Sequence, residues 1–152
     1  MGTAPTIPVP APPPDTHPTR TAIRSRRAGV ILLAVAVAMA DWFVSTRLIG
    51  LDLIVHQGSG DQQIRPVLVA AAPVISGLLG WLLLAVLERA IPRRAALIWR
   101  VVAVIVLAAS LLSPITMAES VATMITLISM HLLVGAILII GLPIRTGGSP
   151  VD

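Results

Sequence analysis

Two ionisable side chains stand deep within long apolar runs of this chain: Asp41, inside the run 28–49, and His131, inside the run 121–142. A carboxylate and an imidazole in a low dielectric can exchange a proton near neutral pH, and either charge at a bilayer centre costs a few kcal/mol or more unless paired or hydrated. Asp41 lies eight residues from one end of its run and His131 ten residues from the matching end of its own. At about 1.5 Å per helical residue both sit roughly 12 to 15 Å deep. If the first and fourth runs are neighbours, Asp41 and His131 are expected to hydrogen-bond across that seam. The pair serves either as a proton-linked site or as a clamp fixing helix register. The clamp is preferred, because polar pairs commonly join membrane helices and no second carboxylate stands inside a run to extend a relay.

The remaining polar groups have plainer roles. Asp52, His56 and Asp61 surround a Gly58-Ser59-Gly60 turn, but one His and two carboxylates without ligand spacing read as a solvated loop, so no metal is expected. Thr116-Met117-Ala118-Glu119 matches a capping box, in which Thr116 and Glu119 satisfy orphan amides at the start of the fourth helix. Thr123, Thr126 and Ser129 can bond back to their own helix carbonyls. Trp42 and Trp81 read as packing or interface residues. Phosphate loop, hydrolase triad, zincin and dinucleotide motifs are all missing, and there is no cysteine. The expectation is a protein that is not an enzyme and takes no cofactor.

The elements that must position these residues follow from composition. Hydrophobic residues make up 56% of the chain and charged ones only 12%, against about 25% charged in soluble domains. Four apolar runs, about 28–49, 66–87, 96–113 and 121–142, are each long enough to cross a hydrocarbon core of about 30 Å. The predicted fold is all-α: a single integral-membrane domain over 28–142, built as an up-down four-helix bundle. Residues 1–27 form a Pro-rich tail ending in arginines, expected to be disordered, and 143–152 a flexible stub. The flanks of the Gly-containing turn in the first loop, Leu51 to His56 and Gln62 to Arg65, fit either a small two-stranded hairpin or an irregular loop.

Arginine placement sets the orientation. Nine of the eleven (20, 24, 26, 27, 89, 93, 94, 100 and 145) fall on one side of the runs, and Arg47 and Arg65 on the other, with Asp52, Asp61 and Glu119. The positive-inside rule then puts both termini in the cytoplasm of a multi-pass cell-membrane protein. The net charge of +4 comes without any lysine and is dispersed over segment ends, which excludes a nucleic-acid face. Ser25-Arg26-Arg27 followed by Ala38-Met39-Ala40 also resembles a twin-arginine signal cleaved after Ala40, but the apolar character continues to Ile49, which favours a retained span.

Small residues should mark the helix seams, since lipid tails are as apolar as leucine and cannot drive helices together. The first run offers Ala34, Ala38, Asp41 and Ser45 on one face. The second offers Ala72, Ser76 and Gly80, with Gly77 beside them and a bend expected at Pro73. The third offers Ala109 and Ser110, and the fourth Gly135.

Gly50-Leu51-Asp52-Leu53, Leu87-Glu88-Arg89, Leu111-Leu112-Ser113-Pro114 and Met130-His131-Leu132-Leu133-Val134-Gly135, the last within the stretch from Glu119 to Gly141, carry a resemblance over Arg27 to Leu142. The chain resembles an uncharacterised family of small four-span membrane proteins, mostly of high-GC actinobacteria, catalogued as a domain of unknown function. The resemblance implies fold and membrane location but no activity. Such proteins often have Asn at the position of Asp41, which favours the clamp. Two functions follow as expectations. One is a non-enzymatic accessory or structural membrane component whose partners are the lipid bilayer and itself or another membrane protein. The other is a small proton-coupled transporter or channel acting as an oligomer.

Overall fold

The computed structural model describes residues 20–51, 54–57 and 60–143. The Pro-rich segment 1–19, Asp52 and the stub 144–152 with Arg145 lie outside the described residues. Four helical spans are long and apolar enough to cross a membrane: Arg20–Leu48, Pro66–Ala90, Ala95–Met117 and Val121–Gly141. They comprise α1 (Arg20–Phe43) with a π-helical turn (Val44–Leu48), α2 (Pro66–Ala90), α3 (Ala95–Ser110) with a short α4 (Leu112–Met117), and α5 (Val121–Gly141). Between α1 and α2 stands an antiparallel hairpin of β1 (Ile54–Gln57) and β2 (Gly60–Gln63), so of the two loop readings the strand pair forms.

The long helices close a ring in the order α1, α2, α3, α5, so the first and fourth spans are neighbours as the up-down pattern requires. Lipid-facing positions carry bulk: Leu32, Leu79, Leu82, Ile105 and Ile140 are all exposed. Many buried positions are small or polar, with Ala34 and Ala38 on α1, Ser45 on the π-helical turn, Gly77 and Gly80 on α2, and Thr123 and Thr126 on α5, beside a core of Ile31, Leu84, Trp99, Leu138 and Leu142. Bulk turned outward and small residues at the seams are what a hydrocarbon solvent produces, because seams form where backbones can approach. At four glycines an added Cβ would fall within 3 Å of a neighbouring helix's side chain: Gly77 against Ile31, Gly80 against Trp99, Gly135 against Leu107 and Gly141 against Val30.

Several boundaries differ from the sequence reading, each for a physical reason. The helix of α1 begins at Arg20, so residues 20–27 belong to a helix and not to the tail. Arginine is a good helix former, and the apolar run downstream supplies the nucleus that lets helix propagate backwards through them. The third span does not end at Ser113. Pro114 cannot donate to the carbonyl of Ser110, so α3 stops there, and Pro114 is instead accommodated in the first turn of α4, carrying the span on to Met117. On α2 the buried stripe is Val69, Pro73, Gly77, Gly80 and Leu84, while Ala72 and Ser76 are exposed. The helix runs unbroken through Pro73, with Ser76 donating to the Ala72 carbonyl at 2.8 Å. On α3 Ala109 is exposed and Ser110 half-buried; the buried residues are Ala95 and Trp99.

Candidate functional site

Asp41 is half-buried on α1 and faces α5, but its partner is Ser129, whose Oγ lies 3.5 Å from Asp41 Oδ2. His131 turns its Nδ1 to the Leu127 carbonyl of its own helix at 2.7 Å. No hydrogen bond joins Asp41 to His131 among the described residues, so the predicted pair is not formed. Asp41 meets α5 at Ser129, two residues along the helix from His131. The error lies in rotation: His131 sits about half a turn around α5 from Ser129, at 100° per residue, and its ring lines a cavity between α5, α2 and α3 instead.

The hydroxyl of Ser129 has one proton, divided between the Thr126 carbonyl at 2.8 Å and Asp41 Oδ2 at 3.5 Å. An amide oxygen at position 41 can accept in the same place as the carboxylate oxygen. Because a carbonyl can only accept, His131 Nδ1 is the donor of this bond to Leu127. The cavity beside it has a volume of about 500 Å³ and is walled mainly by apolar side chains of α2, α3 and α5, with Ser76, Ser110 and His131 as polar points.

The predicted capping box is also not formed. Thr116 Oγ1 donates to the Leu112 carbonyl at 2.8 Å, and Glu119 is exposed. The cap of α5 is Ser120, whose Oγ accepts from Thr123 N at 3.1 Å and lies 2.9 Å from Thr123 Oγ1. The cause is α4: Thr116 is spent inside that short helix, so the start of α5 shifts past Glu119 to the next residue able to cap. The backbone of Glu119 serves elsewhere, its N–H donating to the Ile54 carbonyl and tying the hairpin to the α4–α5 junction.

Sequence reasoning missed the one ion pair among the described residues, between Arg27 on α1 and Glu88 on α2. The Arg27 side chain is 5% exposed and Glu88 41%. Two opposite charges at the same end of consecutive antiparallel helices were the available signal. It was masked because Arg27 read as one more member of an arginine cluster. Among the described residues no group of three His, Cys, Asp or Glu could hold a metal. His56 and Asp61 occupy opposite positions of the hairpin register.

A second pocket of about 310 Å³ lies at the hairpin end, where Arg47, Arg65, Trp42 and Gln63 meet. The π-helical turn widens the last turn of the first span there, with Ile49 N donating to the Val44 carbonyl at 3.0 Å. Gly50 follows at φ +75°, a left-handed conformation that reverses the chain at little cost only for glycine.

A family described as "Family of unknown function (DUF6069)" matches this chain over residues 18–148. No curated protein and no solved structure matches it.

Proposed function

Because the chain belongs to that family, whose function is unknown, we propose from the geometry that it is a non-enzymatic accessory or structural component of the cell membrane. It acts through a second membrane protein or through copies of itself, with both termini in the cytoplasm. The observation that carries this reading is how the polar groups of the spans are used. Asp41 meets Ser129, His131 its own Leu127 carbonyl, and Arg27 meets Glu88; each contact fastens a helix or a seam, and none leads to the next. A proton path needs such groups in series, with two discrete arrangements. The orientation rests on the exposed arginines 20, 24, 26, 89, 93, 94 and 100, all at the end of the bundle away from the hairpin.

A proton-coupled transporter or channel is the second reading, favoured by the cavity that His131 lines. Asp41→Asn and His131→Ala, reconstituted in proteoliposomes, separate the two. The accessory reading expects no proton flux above that of empty liposomes, and an Asp41→Asn protein as stable as the parent, since the amide oxygen can accept from Ser129. Flux that both substitutions abolish would establish transport. Cross-linking in native membranes followed by mass measurement in detergent then identifies the partner or the homo-oligomer; a strictly monomeric, uncross-linked chain contradicts the accessory role.

A further inference from the structure

We propose that the pocket at the hairpin end binds the phosphate of an anionic membrane lipid, held by Arg47 and Arg65. These are the two arginines that depart from the charge bias of the rest of the chain, and the fold brings both to one space of about 310 Å³. Neither has an ion-pair partner among the described residues, and no described carboxylate lines the pocket. Both side chains are exposed, so an anion entering the pocket can meet both guanidinium groups.

Local structure places each of them. The π-helical turn carries Arg47 on its last turn, and Thr46 Oγ1 donates to the Trp42 carbonyl at 2.8 Å, occupying an acceptor within the same widened stretch. Arg65 is the residue before Pro66, so its backbone is held extended at φ −82° and ψ 145°, and it caps α2 without using its side chain. The positive end of the α2 dipole therefore starts on the pocket wall, at Pro66.

The donors converge in kind as well as in place. Trp42 lines the same region, its buried indole nitrogen without a hydrogen-bond partner among the described residues, and Gln63 adds a carboxamide. Guanidinium forks match phosphate oxygens in a bidentate way that an ammonium cannot. The volume lies at the small end of ligand pockets, about 300 to 1,000 Å³, which suits a head group and not a whole lipid. Its position at the ends of two apolar spans is the depth at which lipid phosphates lie.

The test uses the full chain in nanodiscs of phosphatidylcholine with a minor share of phosphatidylglycerol, and counts lipids retained by native mass spectrometry. The parent should hold phosphatidylglycerol in preference to phosphatidylcholine. Arg47→Gln with Arg65→Gln should weaken that retention by roughly tenfold or more. Arg93→Gln with Arg94→Gln, at the opposite end, should leave it intact. If the glutamine variant misfolds, Arg47→Lys with Arg65→Lys keeps the charge without the fork and should still weaken retention several-fold. Equal retention by the parent and either folded hairpin-end variant overturns the site. If inorganic phosphate alone displaces the lipid or stabilises the protein equally at the same concentration, the ligand is a soluble anion and the lipid assignment is overturned.

Discussion

Replacing Gly80 with alanine probes the close approach of α2 to α3. The new Cβ would stand 2.6 Å from Trp99 Cη2, 3.3 Å from Cζ3 and 3.4 Å from Leu142 Cδ1. Carbon atoms in contact prefer about 3.5 to 4.0 Å, so the indole must retreat by roughly 1 Å or α2 must move away from α3. Trp99 is a rigid ring, 5% exposed, and cannot rotate a terminal methyl aside as Ile31 can opposite Gly77. Yet its indole nitrogen has no hydrogen-bond partner among the described residues and Trp99 lines the 500 Å³ cavity, so the ring can slide towards that space. Overpacking of this kind costs about 1 to 3 kcal/mol, against a helix-propensity gain of up to about 1 kcal/mol for alanine over glycine. The expected net is a destabilisation of about 1 to 2 kcal/mol.

Gly29→Ala is the internal control, because nothing lies within 4 Å of its added Cβ. It keeps the propensity gain and has no clash, so it should be neutral or stabilising. Unfolding in mixed micelles with increasing sodium dodecyl sulfate, followed by tryptophan emission, measures both. A double-mutant cycle with Trp99→Phe should return a coupling of at least about 0.5 kcal/mol, since a smaller ring makes room for the methyl. If Gly80→Ala stabilises as Gly29→Ala does, or shows no coupling to Trp99, the close approach of α2 and α3 is refuted.

Three further outcomes are expected. Ser120→Ala should cost about 1 kcal/mol by removing the cap of α5, while Glu119→Gln should change stability by less than about 0.5 kcal/mol; the same titration distinguishes them, and the reverse order would restore the capping box. Glu88→Ala leaves the buried Arg27 guanidinium without its carboxylate, and because Glu88 itself is partly exposed the loss should fall between about 1 and 3 kcal/mol; Glu88→Gln should lose less, and equal stability of all three proteins argues against the pair. Gly50→Ala meets no steric neighbour but must hold φ +75°, so it should cost about 1 kcal/mol, with Gly50→Asn recovering part of it; circular dichroism during thermal unfolding reads the difference.

The number of spans, their approximate ends and the neighbour relation of the first and last were legible because each depends on a one-dimensional quantity. Apolar length against bilayer thickness gives the spans, and short connections give the ring order. The face of α1 was legible too: Ala34, Ala38 and Ser45 are buried and Asp41 half-buried, since small and polar residues at helical spacing among bulky ones have one stable use in lipid. What could not be read depends on rotation about a helix axis or on competition between neighbouring local signals. Ala72, Ser76 and Gly80 and the stripe Val69, Pro73, Gly77, Gly80 both recur at helical spacing. The second faces α1 because Gly77 admits Ile31, a fact about the neighbour that α2 alone does not contain.

The polar residues show the same limit more sharply. A half-buried acid calls for some partner, and Ser129 and His131, two residues apart on α5, satisfy the depth requirement almost equally. The choice went to the residue facing α1, and His131, freed of Asp41, satisfied Nδ1 with a carbonyl one turn back. Thr116 and Ser120 make the parallel case in the backbone. Both are competent caps, and Pro114 decides between them by opening a short helix that consumes Thr116. Where a single physical demand admits two local answers, packing of the neighbouring element selects one, and these are the positions at which Asp41→Asn and Ser120→Ala carry the most information about the fold.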